Sequence, residues 1–403
     1  MRMIRRASRW FTEGDPERAL FVHLSHTADP GGAELALIRT LASAPWNWRI
    51  QLPRNLHGAQ SLYTSLLEAF PGRALWRGPG HGAGASSSPL KALGLAVRVV
   101  ATALDLLLDR EVKAASLLIA NSSRNALYGA LVAMARRVPL VVHLRDRVEK
   151  PFLGTFGYFA MTRLVLPVAA GVVSNSEATL VTARPFLRTS TATVVAPSPI
   201  GWSGPELHPK VLQEASRPLV VGMIARLAPW KGQDLLIRAF ASAFPAEDSV
   251  LRLVGGTSFG GEQFEKELRE LAAELGVQHR VQLTGHVDDP LIAARSLDIC
   301  VQYSVRPEPL GQNVLQYLAL GKALLVADEG GPAEWVNDRV NGLKVRPRDS
   351  EALAAALRLL VGDPALLEEI RRGARETQVP TDEQVASVLE NFYRKVALGG
   401  PSN

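Results

Sequence analysis

The sequence predicts an α/β protein of two doubly wound, Rossmann-like domains. Short apolar runs alternate with longer helical patterns, a Pro/Gly-rich break divides the runs into two series, and 403 residues suffice for two domains. With 47% hydrophobic and 21% charged residues, the chain can bury a core of ordinary globular size.

In the first half, Ala19–Ser25, Leu117–Ala120, Leu140–His143, Gly171–Ser174 and Thr193–Ala196 read as strands. In the second, Leu219–Gly222, Leu251–Val254, Val281–Thr284, Asp298–Gln302 and Ala323–Val326 do so. Continuous apolar strands spaced by helices indicate parallel sheets covered on both faces. The break runs from Pro197 to Pro209, where closely spaced prolines and glycines disfavour helix and strand alike. The predicted organisation is therefore a first domain over 1–196, a linker over 197–216 and a second domain over 217–380. A last helix within 381–403 is expected to pack back on the first domain. Both sheets are expected to turn their carboxyl ends to a shared central cleft, where ligands of such folds bind. Gly78 to Pro89 has no periodicity and reads as a loop able to cover that cleft.

The single cysteine, Cys300, excludes an internal disulfide and a cysteine-rich zinc site, which suggests a reducing compartment. The cytoplasm, or the inner face of its membrane, is the expected location. Arg2, Arg5, Arg6 and Arg9 imitate the head of a signal peptide, but Glu13, Asp15 and Glu17 follow where an apolar region should stand. Ala92 to Leu108 is interrupted by Arg98 and Asp105, and Pro151 to Val173 by Arg163, three glycines and Pro167, so neither predicts a span. Both read as buried helices, with a helix lying on a membrane surface as the alternative.

Net charge is +6, but residues 1–200 hold 23 Lys and Arg against 12 Asp and Glu, and the remainder hold 22 against 27. A basic first half implies an anionic partner. No zinc-finger spacing, basic heptad region or basic-aromatic sheet motif points to nucleic acid.

Three segments carry candidate chemistry. Asp29-Pro-Gly-Gly-Ala-Glu34 joins the first strand to a helix, so Gly31 and Gly32 let backbone N–H groups approach an anion, although a plain structural turn is the alternative. Val221 to Arg238 runs from strand through a loop to an amphipathic helix, and its Arg226 and Lys231 suit a diphosphate. Two ordinary solvated cations would give the same spacing. In Pro307 to Gly321, Glu308 lies in a loop before a helix over Asn313–Leu320, Gly311 lies near the helix start, and Gln316 lies about one turn further in. A helix-capping carboxylate is the alternative for Glu308.

The order of these segments resembles glycosyltransferase family 4, whose members are retaining, nucleotide-sugar-dependent enzymes of GT-B fold. Gly222 through Arg226, Lys231 and Gly232 resembles the family's diphosphate segment. Glu308-Pro-Leu-Gly…Gln316…Gly321 resembles its acidic signature, and Gly330-Gly331-Pro-Ala-Glu334 the segment that follows. The first half agrees more loosely, through Gly31-Gly32-Ala-Glu34, Val142-His143 and Ser174-Asn-Ser-Glu177.

The resemblance implies that Arg226 and Lys231 hold the donor diphosphate, that Glu308 accepts hydrogen bonds from the donor sugar, and that amides near Leu310 and Gly311 face the sugar and phosphates. It implies that Gly31 and Gly32 approach the diphosphate from the other domain and that His143 lies near the transferred sugar, a core histidine being the alternative. Side chains around Gly285 would contribute to the choice of base. Position 316 matches a glutamate that holds the ribose, and glutamine there loses charge-assisted strength.

The implied activity is transfer of a hexose-type sugar to a glycan, lipid-linked or other hydroxyl acceptor, as in cell-surface polysaccharide or glycolipid synthesis, with no cofactor and no metal. A nucleotide-sugar- or glycan-binding subunit without transfer activity, suggested by Gln316, and an epimerase on the same fold are the rival readings. The basic first half points further, to a phosphorylated or lipid-linked acceptor at an anionic membrane surface.

Overall fold

A computed structural model describes residues 19–27, 31–79, 89–204, 218–245, 249–257 and 261–399, with side chains omitted for 89–93. The arginine-rich start, Asp29-Pro30, most of the Gly78–Pro89 loop and positions 205–216 of the predicted linker lie outside the described residues. The chain divides into two compact units, Met1–Pro199 with Asp382–Asn403, and Ile200–Thr381.

The first unit runs β1 (Leu20–Leu24), α1 (Gly32–Ala42), β2 (Asn47–Leu52), α2 (Thr64–Ala69), β3 (Ala74–Trp76), α3 (Pro89–Leu108), α4 (Arg110–Ala114), β4 (Leu117–Ala120), α5 (Ser123–Arg136), β5 (Leu140–Leu144), α6 (Lys150–Ala160), β6 (Gly171–Ser174), α7 (Glu177–Ala183) and β7 (Ala192–Val195). The second runs β8 (Leu219–Ile224), α8 (Gln233–Ala243), β9 (Ser249–Val254), α9 (Glu262–Glu274), β10 (Val281–Leu283), α10 (Pro290–Arg295), β11 (Ile299–Gln302), α11 (Gln312–Ala319), β12 (Ala323–Ala327), α12 (Gly330–Glu334), β13 (Leu343–Val345), α13 (Ser350–Gly362) and α14 (Pro364–Glu376). A final helix, α15 (Asp382–Ala397), belongs to the first unit.

Both sheets are wholly parallel, in the orders β3-β2-β1-β4-β5-β6-β7 and β10-β9-β8-β11-β12-β13. Each order reverses once, between β1 and β4 and between β8 and β11. Loops leaving the carboxyl ends of those strands diverge to opposite faces and leave a crevice there. The two-domain α/β class read from the sequence is thus the observed one.

Hydrophobic burial secures each sheet from both sides. In the first unit, Val99, Ala103 and Leu106 of α3 pack with Ala126 and Val132 of α5 on one face. The other face is covered by Leu37 and Leu41 of α1 together with Val385, Leu389, Phe392 and Tyr393 of α15. The helical spacing of these α15 residues gives that helix one apolar stripe, and each large side chain buried contributes about 1.5–3 kcal/mol.

No helix among the described residues is long and apolar enough to cross a membrane. The stretch 151–173 is broken by a kink at Gly154, whose φ is 67°, and by a π-type turn over Met161–Val165. The expectation of a buried α3 holds for one face only: Val97, Val100, Leu104 and Leu108 are exposed.

Candidate active site

At the switch point of the second sheet, glycines let separate backbones touch. Gly232 has φ 75°, and a Cβ there would stand 2.1 Å from the carbonyl oxygen of Tyr303. Only glycine lets the loop after β8 rest on the strand end of β11. Gly331 closes the other side: its N–H donates to the Glu308 carbonyl at 2.8 Å, and a Cβ would stand 2.3 Å from the Pro309 carbonyl oxygen. Helix α11 is fastened to the end of β8, because Ile224 N–H donates to Tyr317 Oη at 2.8 Å and Asn313 Nδ2 donates to the Ile224 carbonyl at 3.2 Å.

This packing brings Lys231 and Glu308 together as a mostly buried ion pair, Lys231 Nζ with Glu308 Oε1. The second carboxylate oxygen, Oε2, accepts from Ser304 Oγ at 2.6 Å and from Gln302 Nε2 at 2.7 Å. Burial by itself would raise the Glu308 carboxyl. The Lys231 charge and three side-chain hydrogen bonds outweigh it and hold the group below the usual carboxylate range. Glu308 is therefore a fixed acceptor at neutral pH, not a helix cap. Lys231 Nζ also lies 4.2 Å from the centroid of the Trp230 ring, within cation–π range.

Arg226 is exposed at the end of the same loop, and its carbonyl accepts from Gln233 Nε2 at 2.9 Å. Its guanidinium pairs with no described carboxylate, so it is available to an anion. Leu310 is buried against Ile200, Leu315 and Ala319. Gly311, at φ 72°, precedes α11 without a side-chain cap. Gln316 is buried on α11, and its side-chain amide makes no hydrogen bond to a described residue. Gly285, at φ 75°, accepts from Gly255 N–H at 2.9 Å and holds the end of β10 beside the end of β9.

In the first unit, α1 begins at Gly32 with Gly31 as its uncapped N-cap, and a Cβ on Gly31 would meet Glu34 Oε2 at 2.6 Å. His143 is buried in the first unit. Its ring is 4% exposed and shares a 2.6 Å hydrogen bond with Tyr393 Oη of α15, whose ring packs edge-on to Phe21, His23 and Trp46. Burial drives its pKa well below the usual histidine value, with the nearby Arg145 charge adding to the effect. The lowered pKa keeps the imidazole neutral beside an aromatic helix face that no local spacing reveals.

Several polar residues at this carboxyl edge escaped the sequence reading. Arg145 donates to Asn121 Oδ1 at 2.9 Å and to Ser198 Oγ, and Asn121 Nδ2 donates to the Ala33 carbonyl at 3.0 Å. Burial lowers the Arg145 pKa to about 10, and its Nε has no partner. The Val-His-Leu-Arg order, one residue beyond the apolar run, was the available signal.

Residues 206–377 match the family described as glycosyl transferases group 1. The D-inositol 3-phosphate glycosyltransferase of Salinispora arenicola is 33% identical over 196 residues, 46% of this chain and 44% of that protein. The lipopolysaccharide core biosynthesis glycosyltransferase LpsE of Rhizobium meliloti is 34% identical over 167 residues, 41% of this chain and 46% of that protein. The chain spans less than half the length of these curated relatives. Among solved structures, Anabaena Alr3699/HepE in complex with UDP matches with a TM-score of 0.75 and 25% identity, over 93% of this chain and 98% of that one. Sucrose-phosphate synthase from Thermosynechococcus elongatus matches with a TM-score of 0.74 and 19% identity, over 94% and 99%. The matched residues 206–377 hold Arg226, Lys231, Glu308 and Gln316 and are similar to the glycosyl transferases group 1 family, and the fold of the chain is GT-B.

Proposed function

We propose that this chain is a retaining glycosyltransferase that moves a hexose-type sugar from a nucleotide-diphosphate sugar to a hydroxyl acceptor. The observation that carries this reading is the Lys231–Glu308 pair at the switch point of the second sheet, with Arg226 exposed on the same loop. Cations there favour the diphosphate, and most of all the charge that grows on it as the anomeric carbon–oxygen bond breaks. Glu308 accepts hydroxyl hydrogens of the sugar and fixes its orientation. The acceptor oxygen forms its bond to the anomeric carbon on the face the phosphate leaves, and its proton passes to the departing phosphate oxygen. Side-chain cations, not a metal, balance the leaving group in this scheme.

The UDP complex of the Anabaena protein supports a uridine diphosphate sugar as donor. The inositol-phosphate and lipopolysaccharide relatives support a phosphorylated or lipid-linked acceptor, and a polysaccharide or glycolipid pathway. The partly satisfied Arg145 is the anion-binding group of the first unit that fits such an acceptor.

Membrane attachment is supported by the exposed apolar residues of α3 and by exposed Phe156 and Phe159 of α6, near the exposed cations Arg98, Lys150 and Arg163. Anionic vesicles should bind the chain in low salt and release it in high salt; no binding in either would remove the membrane from the proposal. Gln316 favours one second reading, a subunit that binds donor without transferring it. Incubation with UDP-glucose and a lipid extract separates the two: UDP release with sugar transfer supports the enzyme, and UDP binding without release supports the subunit.

A further inference from the structure

The strand-end pair Gln302 and Ser304 makes contacts that the family match leaves unexplained. Residues two apart in an extended segment point to the same side, and here both side chains reach Glu308 while the intervening Tyr303 turns away to donate to the Asp349 carbonyl at 2.9 Å. Gln302 and Ser304 are 2% and 3% exposed.

Their hydrogen positions follow from chemistry. An ionised carboxylate only accepts, so Ser304 Oγ must donate its single hydrogen to Glu308 Oε2. Gln302 Nε2 then donates towards both Ser304 Oγ at 2.9 Å and the same Oε2 at 2.7 Å. The flipped amide would aim its oxygen at a carboxylate oxygen. In the observed orientation the amide oxygen is left buried without a partner, an expense the network bears to keep both donors on Glu308.

An ionised carboxylate has about two acceptor sites on each oxygen. Those of Oε2 are filled by Ser304 and Gln302, while Oε1 has Lys231 and one site left. We infer that Gln302 and Ser304 are positioning residues which clamp Oε2 of Glu308 into the protein and leave Oε1 as the oxygen that meets the donor sugar beside Lys231. This rests on the reading that Glu308 contacts the donor. Without the clamp, the carboxylate is free to turn both oxygens onto Lys231, which neutralises the cation needed by the diphosphate and withdraws the free acceptor site.

The groups facing Glu308 are Lys231 from the loop after β8, Gln302 and Ser304 from the end of β11, the neutral phenol of Tyr317 from α11, and the Gly331 N–H, which is engaged by the Glu308 carbonyl. Removing a donor to the charged form raises the carboxyl pKa.

The test compares the full chain with Ser304→Ala, Gln302→Leu and Ser304→Thr, using UDP-glucose as probe. The clamp predicts a fall in kcat/KM of about tenfold or more for Ser304→Ala and Gln302→Leu, the order of one hydrogen bond to a charged group. It also predicts an acid limb of the rate profile moved to higher pH, with recovery of both in Ser304→Thr. Thermal unfolding from pH 7 to pH 3 supplies an arm independent of donor. Because the folded carboxyl is held low, the stability it adds is present at neutral pH and lost on acidification. The Tm gap between wild type and Ser304→Ala should therefore be full at pH 7 and shrink as Glu308 protonates. If wild type neither binds nor turns over UDP-glucose, the donor reading fails and the Tm gap alone decides the clamp. A gap that stays constant with pH, or rates and acid limb unchanged in both deletion variants, overturns it.

Discussion

Lys231 Nζ and Glu308 Oε1 form an ion pair that joins the loop after β8 to the loop after β11, across the point where the strand order of the second sheet reverses. The pair is mostly shielded from water, so each partner depends on the other far more than a surface pair would. Lys231→Ala leaves a buried carboxylate without its counter-charge. Urea unfolding at pH 7 should show a loss of about 3 kcal/mol, and UDP release from UDP-glucose should fall at least 100-fold. The stability difference should narrow as pH drops through the Glu308 titration, because protonation removes the charge that Lys231 balances.

Gly232→Ala tests the contact that brings those loops together. The substitution forces a left-handed residue to carry a Cβ against the Tyr303 carbonyl. A left-handed backbone alone costs about 1–2 kcal/mol, and the clash adds to it. A lower urea midpoint with a larger proportional loss of UDP binding is expected. Wild-type values for both would show that the loops do not need this close approach.

Gln316→Glu addresses the departure from the family pattern. Restoring a carboxylate should tighten UDP binding about fivefold to tenfold, the difference between a charged and a neutral acceptor, measured by titration calorimetry. Because position 316 is buried, the same change should lower the stability of the free protein, and UDP should restore part of it. Unchanged or weaker UDP binding would place the ribose elsewhere.

Tyr393→Phe separates a core role for His143 from a role in chemistry. The change removes the hydrogen bond to the imidazole and should cost about 1–2 kcal/mol, with little effect on UDP release. His143 and His23 are both buried and held below the usual histidine pKa by burial, His23 at about 3. In the unfolded chain they take up protons near pH 6.5. Stability should therefore be full above that pH and decline below it, as urea unfolding between pH 5 and pH 8 will show. A large fall in UDP release at unchanged stability would return His143 to the chemistry.

Most strands legible in the sequence were short apolar runs, such as β4 with Leu117, Leu118, Ile119 and Ala120 all buried. Strands β2, β3 and β13 were not, and β2 shows why: Gln51 is buried yet satisfied by Tyr128 Oη and the Arg77 carbonyl, partners 77 and 26 residues away. Glu308, Lys231 and Arg226 stood out because each bears a charge in a loop between a strand and a helix. Gln302 and Ser304 are neutral and ordinary in composition, so nothing local distinguished them.

By itself, the sequence determined the α/β class and most of the central strands, because apolar periodicity and glycine placement are properties of neighbouring residues. Tertiary structure alone decided that Lys231 bonds Glu308, that Gln302 and Ser304 hold its other oxygen, and that His143 turns to Tyr393, 250 residues away. Hydrogen bonds and ion pairs act over a few ångströms, and only the folded sheets bring such distant positions that close.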